Sequence, residues 1–364
     1  MVLLYVFAAV VVINCLYYFL FSKFSFFNAF EKNTSTAFPV SLLVCAKNEA
    51  ENLRKHIPLW LKQNYPYFEI ILINDASYDD TLEVMEQFAE TDARIKIVNV
   101  ENNEAFWANK KYALTLGIKK AKHMRMVFTD ADCRPASDVW LQEMATHFTE
   151  DKQLILGYGA YEKGTSFLNR LIRFETLMTA VQYFSYAQCG IPYMGVGRNL
   201  AYTGDLYHST NGFMSHIKVA SGDDDLFVNE VATKNNTAIC VAENAFTYSL
   251  PKKTWKTWML QKKRHITTAK LYKTQHRLLL ALYYLTNFLF WPLAILCLVF
   301  LDWRLPLLLI VIRFAAQWII VGKSAKKLKE NDIIAWIPFL ELFLVFAQLS
   351  IFISGSTSKS TRWK

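Results

Sequence analysis

The sequence predicts an α/β protein with a mostly parallel central sheet, one amino-terminal transmembrane helix and about three carboxyl-terminal ones. Between residues 39 and 130, short apolar runs alternate with helix-forming segments, which is the pattern of parallel strands joined by right-handed crossover helices. Longer apolar runs stand near both ends of the chain and come close to the roughly 20 residues that a membrane-spanning helix needs. Together these patterns predict a sheet domain that is held at a membrane.

Composition and charge favour a membrane protein with anionic partners. Of the 364 residues, 53% are hydrophobic, and the mean hydropathy of +0.15 is above that of a typical soluble domain. The formal net charge is +9, and much of the Lys and Arg lies beside apolar segments, which favours anionic lipid headgroups and a phosphorylated substrate as partners. Nucleic acid is not expected as a partner, because the sequence holds no nucleic-acid-binding motif. The six cysteines form no C-x-x-C pair and are expected to be reduced.

The first apolar run is expected to be a membrane anchor rather than a cleavable signal peptide. Residues 2–21 are long enough to span a bilayer, and no basic region precedes them. Residues 22–25 lack the small-x-small pattern of a cleavage site. Lys23 and Lys32 follow the run, so the positive-inside rule places the next domain in the cytoplasm.

Apolar runs and the segments between them predict the sheet. We expect strands over 39–46, 68–74, 95–100 and 124–129, and helices over 53–61, from 81 onward and over 111–121. The carboxyl ends of parallel strands meet at one edge of a sheet, where open α/β sheets bind ligands. The residues expected at this rim are Lys47, Asp75, Lys110, Asp130 and Asp132.

Two carboxylates one residue apart stand at the end of the fourth predicted strand. Alternate side chains of a strand share a face, so Asp130 and Asp132 are expected on the same side. Two hard oxygen ligands can hold Mg²⁺ or Mn²⁺ against a diphosphate, because these ions usually take one or two carboxylates and leave their other positions to phosphate and water. The alternative is a chance Asp-x-Asp sequence that caps a helix or fills a turn.

Four segments occur in a fixed order along this region and indicate a family. They are Ser41-Leu-Leu-Val-Cys-Ala-Lys-Asn-Glu-Ala-Glu-Asn-Leu53, Asn74-Asp-Ala-Ser-Tyr-Asp-Asp-Thr81, Asn109-Lys-Lys-Tyr-Ala-Leu114 and Thr129-Asp-Ala-Asp132. In order and spacing they resemble the signatures of family-2 glycosyltransferases, which have the Rossmann-like GT-A fold and use a nucleotide-sugar donor. Lys47 and Glu49, in the first segment, are expected on the donor side of the site.

The resemblance implies roles for the rim residues. In the family, the Asp that matches Asp75 contacts the nucleotide base, and the Lys that matches Lys110 lies near the nucleotide and the diphosphate. The Asp pair that matches Asp130 and Asp132 serves the ribose, the diphosphate and the metal. The alternative for Lys110 is a solvated helix face, because several other lysines are close to it in sequence. These lysines are Lys111, Lys119, Lys120 and Lys122.

A glycine-rich loop further along the chain is expected on the acceptor side. Before it, residues 157–161 predict a further strand, and residues 165–186 predict a long helix whose aromatic residues pack in a core. Residues 195–202, Gly-Val-Gly-Arg-Asn-Leu-Ala-Tyr, resemble the family's acceptor-side loop, where small residues let the backbone approach a sugar. The candidates for acceptor contact are Gly197, Arg198 and Asn199.

Three consecutive carboxylates at 223–225 include the expected general base. Like charges this close repel one another, so they indicate a cation, a helix amino terminus or a chemical use. The family has an acidic pair followed by a hydrophobic helix, and alignment on Leu226 places the first acid on Gly222 and the base on Asp223. Because Gly222 departs from the family pattern, Asp224 is the second choice, and a charged helix start is the alternative.

A fifth signature lies between Trp255 and His265. Gln261-Lys-Lys-Arg-His265 resembles the family's Q-x-x-R-W motif, with His in place of Trp. In a helix Gln261 and Arg264 share a face, so both are expected to bind the donor, with Arg264 on phosphate. Without the Trp an acceptor sugar loses a stacking surface, which disfavours a processive polymer synthase. The segment also fits an amphipathic helix on the membrane surface, and both interpretations can hold.

Three apolar runs near the carboxyl terminus, over 278–301, 305–321 and 333–353, predict membrane spans. Arg313 and Glu341 lie within these runs, where unpaired charge is costly. We therefore expect them to pair across helices or to face a lipid-linked acceptor, with snorkelling to an interface as the alternative. Lysines between the second and third runs fit a cytoplasmic loop, whereas the basic tail does not, because four spans would place it outside. The basic residues concerned are Lys323, Lys326, Lys327 and Lys329, and in the tail Lys359, Arg362 and Lys364.

The chain as a whole is expected to have five parts. They are a transmembrane helix over 1–22, a cytoplasmic catalytic domain over 23–250, an interfacial segment over 251–277, transmembrane helices over 278–355 and a basic tail over 356–364. The resemblance implies an inverting, metal-dependent hexosyltransferase, similar to non-processive members that act on lipid or polyprenyl acceptors. Its acceptor would be a lipid or a lipid-linked sugar at the cytoplasmic membrane face. A processive polysaccharide synthase and a catalytically inactive membrane scaffold are the alternatives, and the intact carboxylates disfavour the scaffold.

Overall fold

The computed structural model describes residues 1–27, 38–101, 110–219 and 221–357. They form two compact units. The sheet unit consists of the described residues between 38 and 162 and of residues 190–251, and the remainder forms the helical unit. Residues 163–189, which we expected within the catalytic domain, group with the helical unit by their contacts.

Strands and helices are numbered here in chain order. The strands are β1 (Val40–Ala46), β2 (Phe68–Asp75), β3 (Ile95–Val100), β4 (Arg125–Asp130), β5 (Arg134–Pro135), β6 (Leu154–Leu156), β7 (Gly159–Tyr161), β8 (Leu200–Thr203), β9 (Thr237–Ile239) and β10 (Thr247–Ser249). The α-helices are α1 (Val2–Ser25), α2 (Ala50–Leu61), α3 (Thr81–Thr91), α4 (Lys110–Lys120), α5 (Trp140–Ala145), α6 (Phe167–Gln188), α7 (Gly204–Ser209), α8 (Asp225–Val231), α9 (Trp255–Ala269), α10 (Thr274–Phe300), α11 (Arg304–Lys327) and α12 (Ile337–Thr357). The first four predicted strands agree with β1 to β4 to within a residue at each end.

The central sheet of the sheet unit has the strand order β3-β2-β1-β4-β8-β6-β9. Strands β3, β2, β1 and β4 are parallel neighbours, as are β6 and β9, whereas β8 runs antiparallel to β4 and β6. The mostly parallel sheet that the sequence predicts is therefore confirmed. Such strands are apolar along their length because both faces are covered, and every residue of β2 is buried. Trp60 of α2 and Trp140 of α5 belong to the same buried core.

The chain around residues 154–161 forms two short strands, where we predicted one over 157–161. Strand β6 belongs to the central sheet, and β7 belongs to a smaller sheet with the order β5-β10-β7. The break comes at Gly157, where a Cβ atom would lie 2.5 Å from the side chain of Asn199. Gly157 N donates a hydrogen bond to Asn199 O, and Asn199 Nδ2 donates one to Tyr158 O. Between β6 and β7, Asn199 thus provides hydrogen bonds that a neighbouring strand would otherwise provide.

The helical unit contains the helices that are long and apolar enough to cross a membrane. Among the described residues there are four, over Val2–Ser25, Thr274–Phe300, Arg304–Lys327 and Asn331–Ser354. They confirm the predicted set of one amino-terminal and three carboxyl-terminal apolar helices. Helix α1 packs against α6, α10 and α11. The basic residues Lys32, Lys359, Arg362 and Lys364, and Asn109 of the third motif, lie outside the described residues.

Arg313 and Glu341 form an ion pair inside the helical unit, as predicted. Arg313 Nη2 lies 2.8 Å from Glu341 Oε2, and both residues are buried. Arg313 also donates hydrogen bonds to Asn14 Oδ1 of α1 and Asn287 Oδ1 of α10. Gln317 Nε2 of α11 donates one to Glu341 Oε1 of α12. Four helices therefore share this buried polar network.

Candidate active site

Several strand ends meet at one edge of the central sheet and form a rim. Cys45 of β1 pairs with Asp130, the last residue of β4, and β2 ends beside them at Asp75. Strand β8 runs in the opposite direction and begins at the same edge with Leu200. The segments next to these strand ends carry the predicted site residues Lys47, Glu49, Asp132, Gly197, Arg198 and Asn199.

The loops that follow β1 and β2 are bonded to each other. Asn48 N donates to Ser77 Oγ over 3.0 Å, and Glu49 N donates to Thr81 Oγ1 over 2.8 Å. The Glu49 carboxylate accepts a hydrogen bond from Asn52 Nδ2. Asn48 has a φ of 57°, in the left-handed region that Asn adopts more readily than most residues. The two loops form one connected piece, and this fixes the rim residues beside them.

Asp75 is a buried carboxylate at the end of β2. It is 2% exposed, and its Oδ2 atom accepts no hydrogen bond from the residues that the structure describes. Lys47 Nζ lies 3.9 Å from this oxygen. Burial raises the pKa of Asp75, and the charges of Lys47 and Lys110 lower it. Buried acceptors in folded proteins almost always have a partner, so this oxygen is suited to an N–H group of a ligand.

Lys110, the first residue of α4, joins two acidic segments of the rim. Its Nζ atom lies 2.8 Å from Asp130 Oδ1 and 2.9 Å from Asp223 Oδ2. Burial lowers the pKa of this ammonium group, but the two carboxylates outweigh burial and hold the pKa well above its ordinary value. The solvated helix face that was the alternative for Lys110 is therefore excluded.

Asp130 and Asp132 come together through a turn. Strand β4 ends at Asp130, and a hydrogen bond from Cys133 N to Asp130 O closes the turn that follows. The sequence predicted that the two carboxylates meet because alternate side chains of one strand share a face. This reason was wrong, because only Asp130 belongs to the strand and Asp132 lies in the turn. Ligand atoms of Asp130, Asp132 and Cys133 all lie within 4.8 Å of one another.

The chemistry of this group fits a hard divalent cation. Burial raises the pKa of the Cys133 thiol well above its ordinary value, and Asp132 and Asp130 raise it further, so the thiol stays protonated near neutral pH. Its Sγ–H group donates to Asp132 Oδ1. The two carboxylates remain as ligands, and this is the small set of oxygen atoms that Mg²⁺ or Mn²⁺ takes from protein beside a phosphate.

Cys45 lines one pocket together with Lys110, Asp130, Asp223 and Asp224. Burial raises the pKa of Cys45; Lys110 lowers it, and Asp75, Asp223 and Asp130 raise it. All four charged groups therefore act on a single side chain at the end of β1. The carboxylates are not scattered over unrelated surfaces.

The structure gives Asp223 and Asp224 different surroundings. Asp224 Oδ2 accepts from Gly197 N, and Oδ1 accepts from Asp225 N at the start of α8, each over 2.7 Å. Burial raises the pKa of Asp224 to about 7, and Asp223 and Asp225 add to the rise. Burial also raises the pKa of Asp223, but Lys110 outweighs burial and lowers it. Asp223 is thus the ionised member of the pair.

Gly222 explains why this chain departs from the family's acidic pair. Its φ is 98°, and a Cβ atom would lie 2.5 Å from the side chain of Leu226. An acidic residue at this position would be strained by the left-handed backbone and would also clash with α8. The backbone therefore favours glycine at the position that we aligned with the family's first acid.

Arg198 is bonded within the sheet unit. Its Nη1 atom donates to Ala160 O and to Ser249 Oγ, each over 3.1 Å. The guanidinium carbon lies 4.2 Å from the centre of the Tyr161 ring. Its contact with an acceptor stays a prediction.

Asn199 belongs to the core of the sheet unit. It is fully buried, its Nδ2 donates to Tyr158 O and Ala245 O, and its Oδ1 accepts from Trp140 Nε1. The expected contact with an acceptor does not fit this position, because the amide is enclosed and bonded on both sides. Gly197, which donates to Asp224, is the part of the loop that lies next to the acidic segment.

Gln261 and Arg264 lie on α9 of the helical unit. The predicted helix is present, and Thr254 caps it by accepting a hydrogen bond from Thr257 N. Between the two residues, Lys262 Nζ pairs with Glu175 of α6 at 2.5 Å. Contact of Gln261 and Arg264 with a donor stays a prediction.

One buried residue beside the site was missed in the sequence. Lys111 was grouped with the lysines of a solvated helix face, yet its exposed fraction is zero. No feature of the sequence distinguishes Lys111, because other lysines precede and follow it on the same helix.

Two family descriptions match the chain. Glycosyl transferase family 2 matches residues 41–202, and Glycosyl transferase family group 2 matches residues 126–347, which is more than half of the chain. With the parallel sheet and its acidic rim, these matches define the class of protein as a glycosyltransferase. The chain belongs to the family-2 glycosyltransferases.

Curated relatives match only part of this chain. An uncharacterized glycosyltransferase of Haemophilus influenzae is 31% identical over 122 residues, which cover 34% of this chain and 36% of the relative. Glycosyltransferase AglE of Haloferax volcanii is 30% identical over 111 residues, covering 30% and 35%. Poly-beta-1,6-N-acetyl-D-glucosamine synthase of Staphylococcus epidermidis is 36% identical over 93 residues, covering 26% and 21%. The chain thus spans about a third or less of the length of these relatives.

A solved structure supports the fold over nearly the whole chain. The mannosyltransferase PcManGT from Pyrobaculum calidifontis, in complex with GDP-Man and Mn²⁺, superposes with a TM-score of 0.61 over 94% of this chain and 98% of that one. The sequence identity is 15%, so this likeness is one of fold. It confirms the GT-A architecture that the motifs predicted.

Proposed function

We propose that the protein is an inverting glycosyltransferase that moves a sugar from a nucleotide-sugar to a lipid or lipid-linked acceptor at the cytoplasmic face of a membrane. The observation that carries the proposal is Lys110, whose ammonium group lies between Asp130 and Asp223. Through this one cation, the carboxylate expected at the donor diphosphate and the carboxylate expected at the acceptor hydroxyl belong to a single cluster.

The donor side would use the residues around the ends of β1, β2 and β4. Asp75 Oδ2 would accept an N–H group of the nucleotide base, since it is buried and no donor among the described residues bonds it. Lys47 and Lys110 would bind the diphosphate. The further residues assigned to the donor are Glu49, Gln261 and Arg264.

Asp130 and Asp132 would hold Mg²⁺ or Mn²⁺ at this side of the site. When bound, such an ion neutralises the charge that grows on the departing diphosphate. Asp130 Oδ1 also pairs with Lys110, so Asp130 would serve both the metal and this ammonium group.

Asp223 would be the general base. Both oxygens of Asp224 accept backbone N–H groups, whereas Asp223 is ionised and bonds Lys110 through Oδ2. Asp223 would take the proton of the acceptor hydroxyl while that oxygen bonds to the anomeric carbon. The bond from this carbon to the diphosphate oxygen breaks on the opposite side, and the diphosphate leaves with the bonding electrons. One displacement of this kind inverts the anomeric centre.

Gly197 and Arg198 are proposed on the acceptor side of this base. A Cβ atom at Gly197 would lie 3.4 Å from Asp224 Oδ2 and 3.7 Å from Asp223 Oδ2. Glycine therefore leaves room next to Asp223, where the acceptor hydroxyl has to arrive. Arg198 would line this space from the neighbouring position.

The helical unit supports a membrane acceptor. Lys23 lies in the last turn of α1, and Lys326 and Lys327 lie in the last turn of α11. These two helix ends are adjacent, because Lys327 Nζ donates to Phe24 O over 2.7 Å. Basic residues gather at the cytoplasmic ends of membrane helices, and the chain enters the sheet unit after this end of α1. An enzyme anchored in this way would meet acceptors that are themselves in the membrane.

The direct test is transfer by purified protein. The protein in lipid nanodiscs is incubated with a panel of nucleotide-sugars, Mn²⁺ and membrane lipid extract, and the anomeric configuration of the product is determined by NMR. Asp223→Asn should abolish transfer while nucleotide affinity stays close to that of wild type, and Asp151→Asn, an exposed carboxylate of the same unit, is the matched control. Wild-type turnover in Asp223→Asn, or a retained anomeric configuration, would refute the mechanism.

A processive polysaccharide synthase is the second candidate, because one relative carries such a name. A processive enzyme has to pass its polymer through the membrane, yet the interior of the four apolar helices is occupied by the buried network around Arg313 and Glu341. That packing favours single transfer. Product length under single-encounter conditions decides: one added sugar supports the proposal, and long polymer supports the synthase.

A further inference from the structure

Lys111, the second residue of α4, is completely buried although its side chain carries an amine. Buried lysines are rare unless they are paired or hydrogen-bonded. The Nζ atom of Lys111 donates to the backbone oxygen of His216 over 2.7 Å and to that of Val219 over 3.0 Å. Whereas Lys110 binds carboxylate groups, its neighbour thus binds backbone carbonyl groups.

These carbonyl groups belong to a turn that leads to the proposed base. Val219 N donates to His216 O over 3.0 Å, which closes the turn. Gly222, with a φ of 98°, then redirects the chain into Asp223. Because only a short stretch separates the turn from Asp223, a shift of the turn would be passed on to that carboxylate.

We propose that Lys111 is a positioning residue for the transfer reaction: by bonding the 216–219 turn to α4, it sets where Asp223 stands relative to Lys110. The inference rests on the proposed function, in which Asp223 is the base. Lys110 holds the side chain of Asp223, and Lys111 holds the backbone ahead of it. The start of one helix would therefore fix the same carboxylate in two ways.

Packing alone does not account for a lysine at this position. Burial lowers the pKa of Lys111 to about 8, although Asp223, Asp225 and Asp224 act in the opposite direction. A methionine would fill the same space and would lose no hydration of a charged group. What a methionine lacks is N–H donors. Without them Val219 O would lose the bond from Lys111 Nζ, and His216 O would keep only the bond from Val219 N. A buried carbonyl group that loses a donor costs stability. Hydrogen bonding to the two carbonyl groups of the turn is thus what a lysine provides here and a methionine does not.

Kinetics of three variants test the proposal. Lys111→Met should lower kcat about 10- to 100-fold, the effect of misplacing a reacting group by about 1 Å, while the KM for the donor stays within about twofold of wild type. Lys111→Arg keeps N–H donors and should recover part of the loss. Lys119→Met, near the exposed end of the same helix, is the matched control and should behave like wild type.

Hydrogen exchange provides a second readout that needs no activity. The amide of Val219, bonded to His216 O, should exchange faster in Lys111→Met than in wild type or in Lys119→Met. Unchanged exchange together with unchanged kcat in Lys111→Met overturns the proposal. If the wild type transfers no sugar from any donor while the exchange of this turn responds to Lys111→Met, it is the proposed function that fails.

A variant that does not fold would be replaced by a milder pair. Lys111→Gln retains an amide donor but is shorter than lysine, and Lys111→Arg retains both reach and charge. A lower kcat for Lys111→Gln than for Lys111→Arg, at equal Tm, supports the positioning role. Equal kcat in the two variants, at the wild-type level, overturns it.

Discussion

Two adjacent residues of the same type, Asp223 and Asp224, show how surroundings set the role of a side chain. Asp223 pairs with Lys110 and is ionised, whereas Asp224 accepts hydrogen bonds from the backbone N–H groups of Gly197 and Asp225. Asp224 therefore caps helix α8 and holds the loop at Gly197. The sequence alone left open which of the two aspartates is the general base. The alignment depended on Gly222, whose backbone conformation only the structure shows.

The two aspartates should respond differently to the same substitution. Asp224→Asn should keep more of the transfer rate than Asp223→Asn, because its one amide oxygen can still accept from Gly197 N or from Asp225 N and asparagine caps helices well. Asp223→Asn should lower kcat by at least about 100-fold, the lower end of what a general base contributes. The measurement is kcat at saturating donor and acceptor for both variants. Losses of equal size would show that the roles are not divided in this way.

Metal binding should depend on Asp132. A ligand that binds only the folded state stabilises it, by about 2.7 kcal/mol when its concentration is a hundred times Kd. Mn²⁺ should therefore raise the Tm of the wild type, and this rise should be lost in Asp132→Asn, which removes one of two carboxylate ligands. Thermal unfolding with EDTA, Mg²⁺ or Mn²⁺ measures the effect, with Asp151→Asn as the control. A Tm rise in Asp132→Asn as large as in the wild type would contradict the assignment.

At the scale of strands and helices, local patterns could be read from the sequence and distant contacts could not. Strands β1 to β4 were predicted to within a residue because each is an apolar run closed by polar residues. The pair β6 and β7 was not, since each has only three residues and the break between them depends on Asn199, which is far away in sequence. The antiparallel direction of β8 likewise follows from pairing with β4 and not from its own residues.

In the candidate site, too, residues in local motifs could be predicted and residues that depend on distant contacts could not. Asp75, Lys110 and Asp130 could be placed on one rim because ordered motifs put each of them next to the end of a strand or the start of a helix. Lys111 could not be recognised, because its burial results from a turn more than a hundred residues later in the chain. A buried lysine and a solvated one have the same appearance in a sequence.

Asn199 should matter for folding rather than for substrate. Asn199→Ala takes the acceptor Asn199 Oδ1 from Trp140 Nε1 and the donor Asn199 Nδ2 from Ala245 O, while Tyr158 O keeps only the bond from Thr247 N. A buried group left unpaired costs about 1–3 kcal/mol, so we expect the free energy of unfolding to fall by at least about 2 kcal/mol. Denaturant unfolding measures it, with Asn64→Ala, an exposed asparagine of the same unit, as the control. Equal stability of the two variants would exclude this role.

At the scale of the whole molecule, the two units interleave along the chain. Helix α6 belongs to the helical unit although strands of the sheet unit both precede and follow it. In the helical unit α6 packs against α1, α11 and α12. Arg173 of α6 pairs with Glu330 and with Asp332, beyond the end of α11. A cut at one point of the chain therefore cannot separate the units, and removal of the last three helices would take these partners away from α6.

The buried network of the helical unit should stabilise it only while it is complete. Removing one partner of a buried ion pair leaves an unpaired charge and costs about 3–5 kcal/mol in proteins, whereas replacing both partners by apolar residues costs much less. Arg313→Met and Glu341→Met should each lower the Tm strongly, and the double variant should be more stable than either. It should not reach the wild type, because Asn14 and Asn287 lose their partner on Arg313. Thermal unfolding in nanodiscs measures the cycle, with Arg304→Met at the exposed start of α11 as the control; additive losses in the double variant would show that the two charges do not act as a pair.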